Sequence, residues 1–195
     1  MRKIIALSLA AIMALSMVAC GGNKEDEISN ATQYDVAKMA DNYIAEMGLT
    51  EMTKLGEDYM EFMGIGKDLY DEASGYYPQV SSSVDLVIAI KAKDKNAVSE
   101  IKDILEQRKN EIAATHENYN KNLMAKAQSG HTIVKDLYIM FAIGGDEVEF
   151  ANLGADRAME PVIEAMNNAF LAQEIATAYE MRHNSGEAPD VDNQI

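Results

Sequence analysis

A two-layer α+β domain, with a small, mainly antiparallel sheet packed against a long central helix and flanking helices, is the fold this sequence predicts. Residues 84–91, Val84-Asp85-Leu86-Val87-Ile88-Ala89-Ile90-Lys91, form an almost unbroken apolar run of β type, as expected of a strand buried within a sheet. After Asp94 the apolar residues change to helical spacing, at Ala97, Val98, Ile101, Ile104, Leu105 and Ile112. A buried strand feeding an amphipathic helix is a seed of layered α+β domains. Two more strand-like segments, 131–134 and 137–143, flank Lys135-Asp136, which has the length of a hairpin turn.

Composition narrows the partners. The chain has 195 residues, enough for one domain with extensions. Its 32 acids against 17 bases give a formal charge of −15. Nucleic acid is therefore excluded as an expected partner, because phosphate binding needs concentrated Lys and Arg. The same charge repels anionic lipid headgroups, so membrane attachment requires something other than a basic patch. A single cysteine allows no intramolecular disulfide.

That cysteine is the most informative residue. Arg2 and Lys3 precede an apolar run from Ile4 to Val18, which is short for a membrane span and built like a secretory leader. Met17-Val18-Ala19 then leads into Cys20 and Gly21-Gly22. This arrangement resembles the lipobox of bacterial lipoproteins, with Met17 where Leu is usual. The resemblance implies cleavage before Cys20 and attachment of a membrane lipid, diacylglycerol, to its thiol. It places the protein on the extracytoplasmic face of a bacterial cell membrane. Residues 1–19 are then a signal peptide and 20–32 a flexible acidic tether averaging roughly 20 Å end to end. Residues 33–180 form a single α+β domain, and 181–195 are expected to be a disordered acidic tail.

Within the domain, Val36, Met39, Ala40, Tyr43, Ile44 and Met47 mark a helix over 35–47 that Gly48 ends. Residues 52–55 read as a short extended piece and 57–63 as a second helix, closed by a turn at Gly64-Ile65-Gly66. The stretch 69–80, with Tyr70, Tyr76, Tyr77 and Pro78, predicts a strand at a sheet edge, where proline is tolerated. Ser81-Ser82-Ser83 is a turn into the strand from Val84 to Lys91. Asp94 or Asn96 caps the long helix over 95–115, whose outer face carries Lys102, Asp103, Glu106, Arg108, Lys109 and Glu111. A short helix over 123–128 ends at Gly130. Residues 148–153 read as a strand or a loop. A last helix, with Pro161 in its first turn, extends to Tyr179.

The succession Val84 to Asp94, a helix with Leu105 and Arg108, Tyr119, and then Gly130 to Ile143 resembles a bacterial lipoprotein family, the domain of unknown function numbered 4358. The likeness covers about residues 35–170 and is closest over 84–143. The family often has Pro after the tyrosine, where this chain has Asn120, and a Gly-containing hairpin, where this chain has Lys135-Asp136. The resemblance implies an α+β fold and a lipoprotein, and it implies no activity.

Motifs for chemistry are sparse. His116, His131 and His183 are far apart, and His116-Glu117 lacks the second histidine of a zinc-protease helix because position 120 is Asn. No metal site and no cofactor is expected. Tyr76 and Tyr77 are the candidate contact surface, of which at most one can belong to a given face because neighbouring strand residues point oppositely. Two functional classes follow. One is a non-enzymatic envelope module that binds an envelope protein, a polymer or a small ligand. The alternative is a surface hydrolase acting on a wall polymer through a carboxylate site that no motif reveals.

Overall fold

A computed structural model describes residues 32–118 and 120–184. Residues 1–31, which hold the expected leader, Cys20 and most of the expected tether, and also Tyr119 and residues 185–195, lie outside them. The compact unit that holds the domain begins at Thr32.

Helix α1, Val36–Met47, is fixed at both ends by its own sequence. The Asp35 carboxylate accepts from the amides of Ala37 and Lys38 at 3.0 Å, and Gly48 closes the helix at φ 64°, a left-handed conformation that glycine adopts without steric cost. The short strand β1, Met52–Lys54, and helix α2, Glu57–Phe62, follow. Strands β2, Tyr70–Pro78, and β3, Leu86–Ala92, form the middle of the sheet. Helix α3, Lys95–His116, starts at Asp94, whose side chain accepts from Asn96 and Ala97 at 2.8 Å. Helix α4, Lys121–Gln128, has Asn120 as its cap, accepting from Asn122 and Leu123 at 3.1 Å. The departure from proline at that position thus supplies a capping oxygen. Strands β4, His131–Lys135, and β5, Tyr138–Ile143, make the hairpin, and helices α5, Glu147–Leu153, α6, Ala155–Ala158, and α7, Glu160–Asn184, complete the described chain.

The five strands run β1-β2-β3-β5-β4, antiparallel throughout. Side chains of β3 alternate between two separate cores. Leu86, Ile88 and Ile90 meet Val98, Ile101 and Leu105 of α3 on one face, together with Met60, Leu123 and Phe141. On the other face Val87 and Ala89 meet Met39 and Tyr43 of α1 and Val162, Met166 and Phe170 of α7. The α+β class and the strand-to-helix interface are as the sequence predicts. The sheet, however, is a middle layer with helices on both faces rather than one of two layers. That is the physical reason β3 is apolar at both parities.

Four further boundaries differ from expectation. Strand β2 is not the sheet edge, because β1 borders its last three residues, with Pro78 opposite Met52 at the strand's end. The hairpin turn is Asp136-Leu137, since Lys135 still pairs with Tyr138. Residues 147–153 are helical, with Asp146 accepting from Val148 at 2.7 Å. Helix α7 runs past Tyr179 to Asn184, so residues 181–184 of the expected tail belong to it. Among the described residues, no helix is long and apolar enough to cross a membrane.

Candidate functional site

Three of the polar groups that reach the interior, those of Asp85, Lys126 and Tyr43, gather at the end of the sheet where β3 begins. Asp85 stands just before β3 and Lys126 lies on the buried side of α4, with Leu123 and Ala127. Helical spacing from those two neighbours carries the lysine inward, and its ammonium meets Asp85 Oδ1 at 2.8 Å. Their side chains are only 7% and 15% exposed, so each charge is solvated mainly by the other. The second carboxylate oxygen accepts the Ser83 hydroxyl at 2.5 Å, and Ser83 Oγ accepts the Asp85 amide at 3.1 Å. A serine expected to be only a turn residue therefore does have an acid beside it.

Tyr43 completes the cluster from α1. It is fully buried, and its hydroxyl has no hydrogen-bond partner among the described residues. Burial, and next the negative charge of Asp85, hold its phenol well above the usual tyrosine range. Gly144 is required beside it, because a Cβ there would lie 2.5 Å from the Tyr43 oxygen. Ser83 and Asp85 open onto a shallow groove of about 310 Å³, whose other walls are residues 48–52, Pro78 and Val80. Two acidic residues, Glu51 and Asp85, thus line the groove. Only Asp85 is held by a buried cation.

The tyrosines picked from the sequence separate. Tyr76 lies on the α1 side, donating from its hydroxyl to Asp41 Oδ1 at 2.7 Å, with Lys54 Nζ 5.8 Å from its ring centre. That hydrogen bond, followed by partial burial, raises its phenol above the ordinary value. Tyr77 points to the opposite face and stacks on Tyr59, with centroids 4.9 Å apart and planes at 16°. They form no common surface. Cys20 lies outside the described residues. His116 is buried at the end of α3, and His131 lines a shallow groove with Asp156, Met159 and Ile163. Among the described residues, no three of His, Cys, Asp and Glu converge as metal ligands.

Sequence reading missed Asp85 and Lys126 as a pair. The signal was an acid at the head of an apolar strand and a lysine on the buried stripe of a short helix. Each reads alone as a surface charge, and only the fold brings them together.

An antiparallel five-stranded sheet between two helical layers, with a closed ion pair at one end, defines a three-layer α+β domain. The chain matches the family model described as Domain of unknown function (DUF4358) over residues 45–144 and belongs to that family. The match is narrower than the expected 35–170. It contains Ser83, Asp85, Lys126 and Gly144, and leaves out Tyr43 and α7. Neither the curated proteins nor the solved structures compared with the chain gave a match.

Proposed function

We propose that the protein is a lipid-anchored, extracytoplasmic module of a bacterial cell envelope that works by binding a partner there. The place of Cys20 carries this reading. The chain's one cysteine directly follows an apolar leader and precedes Gly21-Gly22, where cleavage and acylation would leave it as the first residue. With Arg2 and Lys3 removed, fifteen bases remain against 32 acids, so basic residues do not account for membrane attachment. The acyl chains supply the affinity instead, and two of them suffice for stable anchoring. The domain follows a tether of about twelve residues and is held near the membrane surface.

Binding is favoured by the outward face of α7, where Leu171, Ile175 and Tyr179 recur every four residues and are 48%, 60% and 61% exposed. Apolar surface of this kind, gathered along one helix, marks interaction sites. Replacing Cys20 with alanine is expected to move the protein from the membrane fraction into the culture medium. Unchanged retention in that variant would defeat the anchor.

The groove beside Ser83 and Asp85 favours the second reading, a surface hydrolase, because two acidic residues, Glu51 and Asp85, line one opening. Incubation with purified wall polymer separates the two. Soluble fragments released by the native protein but not by Asp85→Asn would establish hydrolysis and displace the binding reading.

A further inference from the structure

The two edges of the sheet are finished differently. On one side β1 is three residues long and ends in Lys54, and the uncovered part of β2 carries a register break between Tyr70 and Glu72 beside Asp71 and Glu72. Short strands, bulges and charges are the usual means of keeping an edge from pairing with another chain. On the other side β4 is five residues long, and its one full charge, Lys135 at its end, is paired with Glu174. Its register with β5 is unbroken, it contains no proline, and its interior is Thr132-Ile133-Val134.

The direction of its free backbone groups follows from the ladder. The Ala92 amide donates to the Leu137 carbonyl at 2.9 Å, so the odd residues of β5 bond to β3 and the even ones to β4. Tyr138, Met140 and Ala142 therefore engage Lys135, Ile133 and His131. The N–H and C=O of Thr132 and Val134 point outward, and no hydrogen bond reaches them among the described residues.

We propose that β4 is a homodimer edge, pairing antiparallel with β4 of a second copy about a two-fold axis at Ile133 to give one continuous ten-stranded sheet. Thr132 would then face Val134 of the second copy in two hydrogen-bonded pairs. The choice of a second copy rests on this self-complementary register, on charge and on the layer above. The chain is strongly acidic, but β4 carries no acid, and Lys135 is neutralised by Glu174 at 2.8 Å. Helix α7 packs over β4 and β5. With strands about 4.8 Å apart, α7 helices centred midway over β4 and β5 would lie roughly 9.6 Å apart across the axis, inside the 8–10 Å range of packed helices. The second copy's hairpin turn would come beside His131, where the groove with Asp156, Met159 and Ile163 has a volume of about 400 Å³.

The test is sedimentation equilibrium of the full chain in detergent micelles, with Thr132→Pro beside the native protein. Proline removes an outward N–H and leaves the bonds to β5 intact. The expected result is a native dimer that loses at least about tenfold in affinity in Thr132→Pro, with a thermal midpoint equal to that of the native protein at concentrations where both are monomeric. A native protein that stays monomeric overturns the proposal and leaves the edge to an extended segment of another protein. A dimer untouched by the substitution overturns it as well. Should Thr132→Pro fail to fold, Ile133→Cys in a Cys20→Ser background decides. Residues on the axis form a non-hydrogen-bonded pair with Cα atoms about 4.5 Å apart, within disulfide range. Oxidation is expected to yield a linked dimer, and its absence overturns the assignment.

Discussion

Between Lys126 and Asp85 the energetics are asymmetric, because each buried charge is compensated by little besides the other. Removing one member strands its partner, which in buried pairs costs about 3–5 kcal/mol, whereas replacing both with apolar groups is often near neutral. Lys126→Met is therefore expected to lower stability by about 3 kcal/mol in urea denaturation, and Lys126→Met with Asp85→Leu to recover most of the loss. Equal losses in the single and double variants would show that the pair is not coupled. Tyr43 gives the cluster a pH dependence in the alkaline range. Its folded phenol stays neutral above the ordinary tyrosine range, while the unfolded chain ionises near about pH 10. The stability it contributes is complete below that pH and is lost as pH rises further. Tyr43→Phe should flatten the alkaline loss of stability above about pH 10. It should change the neutral-pH value by less than about 1 kcal/mol, because no described partner is left unsatisfied. Denaturant midpoints measured across that range check both statements.

Elements were legible in the sequence where one local signal decided them. Helix α1 has an apolar stripe of about three turns between Asp35 and Gly48, and α3 follows Asp94 with its buried residues at the expected spacing. Helix α5 was not legible, because Val148, Phe150 and Leu153 are too few to separate the two periodicities, and the cap at Asp146 decides the matter. The second helical layer was illegible for a different reason. An unbroken apolar strand declares that both faces are covered, but nothing local says that α1 and α7, from opposite ends of the domain, do the covering. The ion pair shares that property. The hairpin was read one residue early, since Asp136-Leu137 contains neither Asn nor Gly. Its φ of 53° makes Asp136 the one described non-glycine residue with positive φ, at the position where a two-residue type II′ turn takes glycine. Asp136→Gly should accordingly raise stability by about 0.5–1 kcal/mol, read as a higher thermal midpoint. A lower midpoint would mean that the aspartate makes a compensating interaction in the turn.

For the whole molecule, the family boundary and the folding boundary do not coincide. The matched residues 45–144 contain the entire sheet with α2, α3 and α4, and so one complete core. They omit all of α7 and most of α1, the two helices that cover Val87, Ala89, Met140 and Ala142. A fragment cut to the match would expose that face and lose burial of Met39, Tyr43, Val162, Met166 and Phe170, each fully buried in the domain. At about 1.5–3 kcal/mol for each large apolar side chain, the loss is comparable with the 5–15 kcal/mol that stabilises an ordinary domain. Residues 45–144 alone are thus expected to lack a cooperative thermal transition and to bind hydrophobic dyes, whereas residues 33–184 should melt in one step. Cooperative unfolding of the shorter fragment, followed by near-ultraviolet circular dichroism, would show that the α1–α7 layer is an addition to a domain already stable without it. The opposite result makes that layer part of the fold, and any definition of the domain in this chain must then extend past the residues that the family shares.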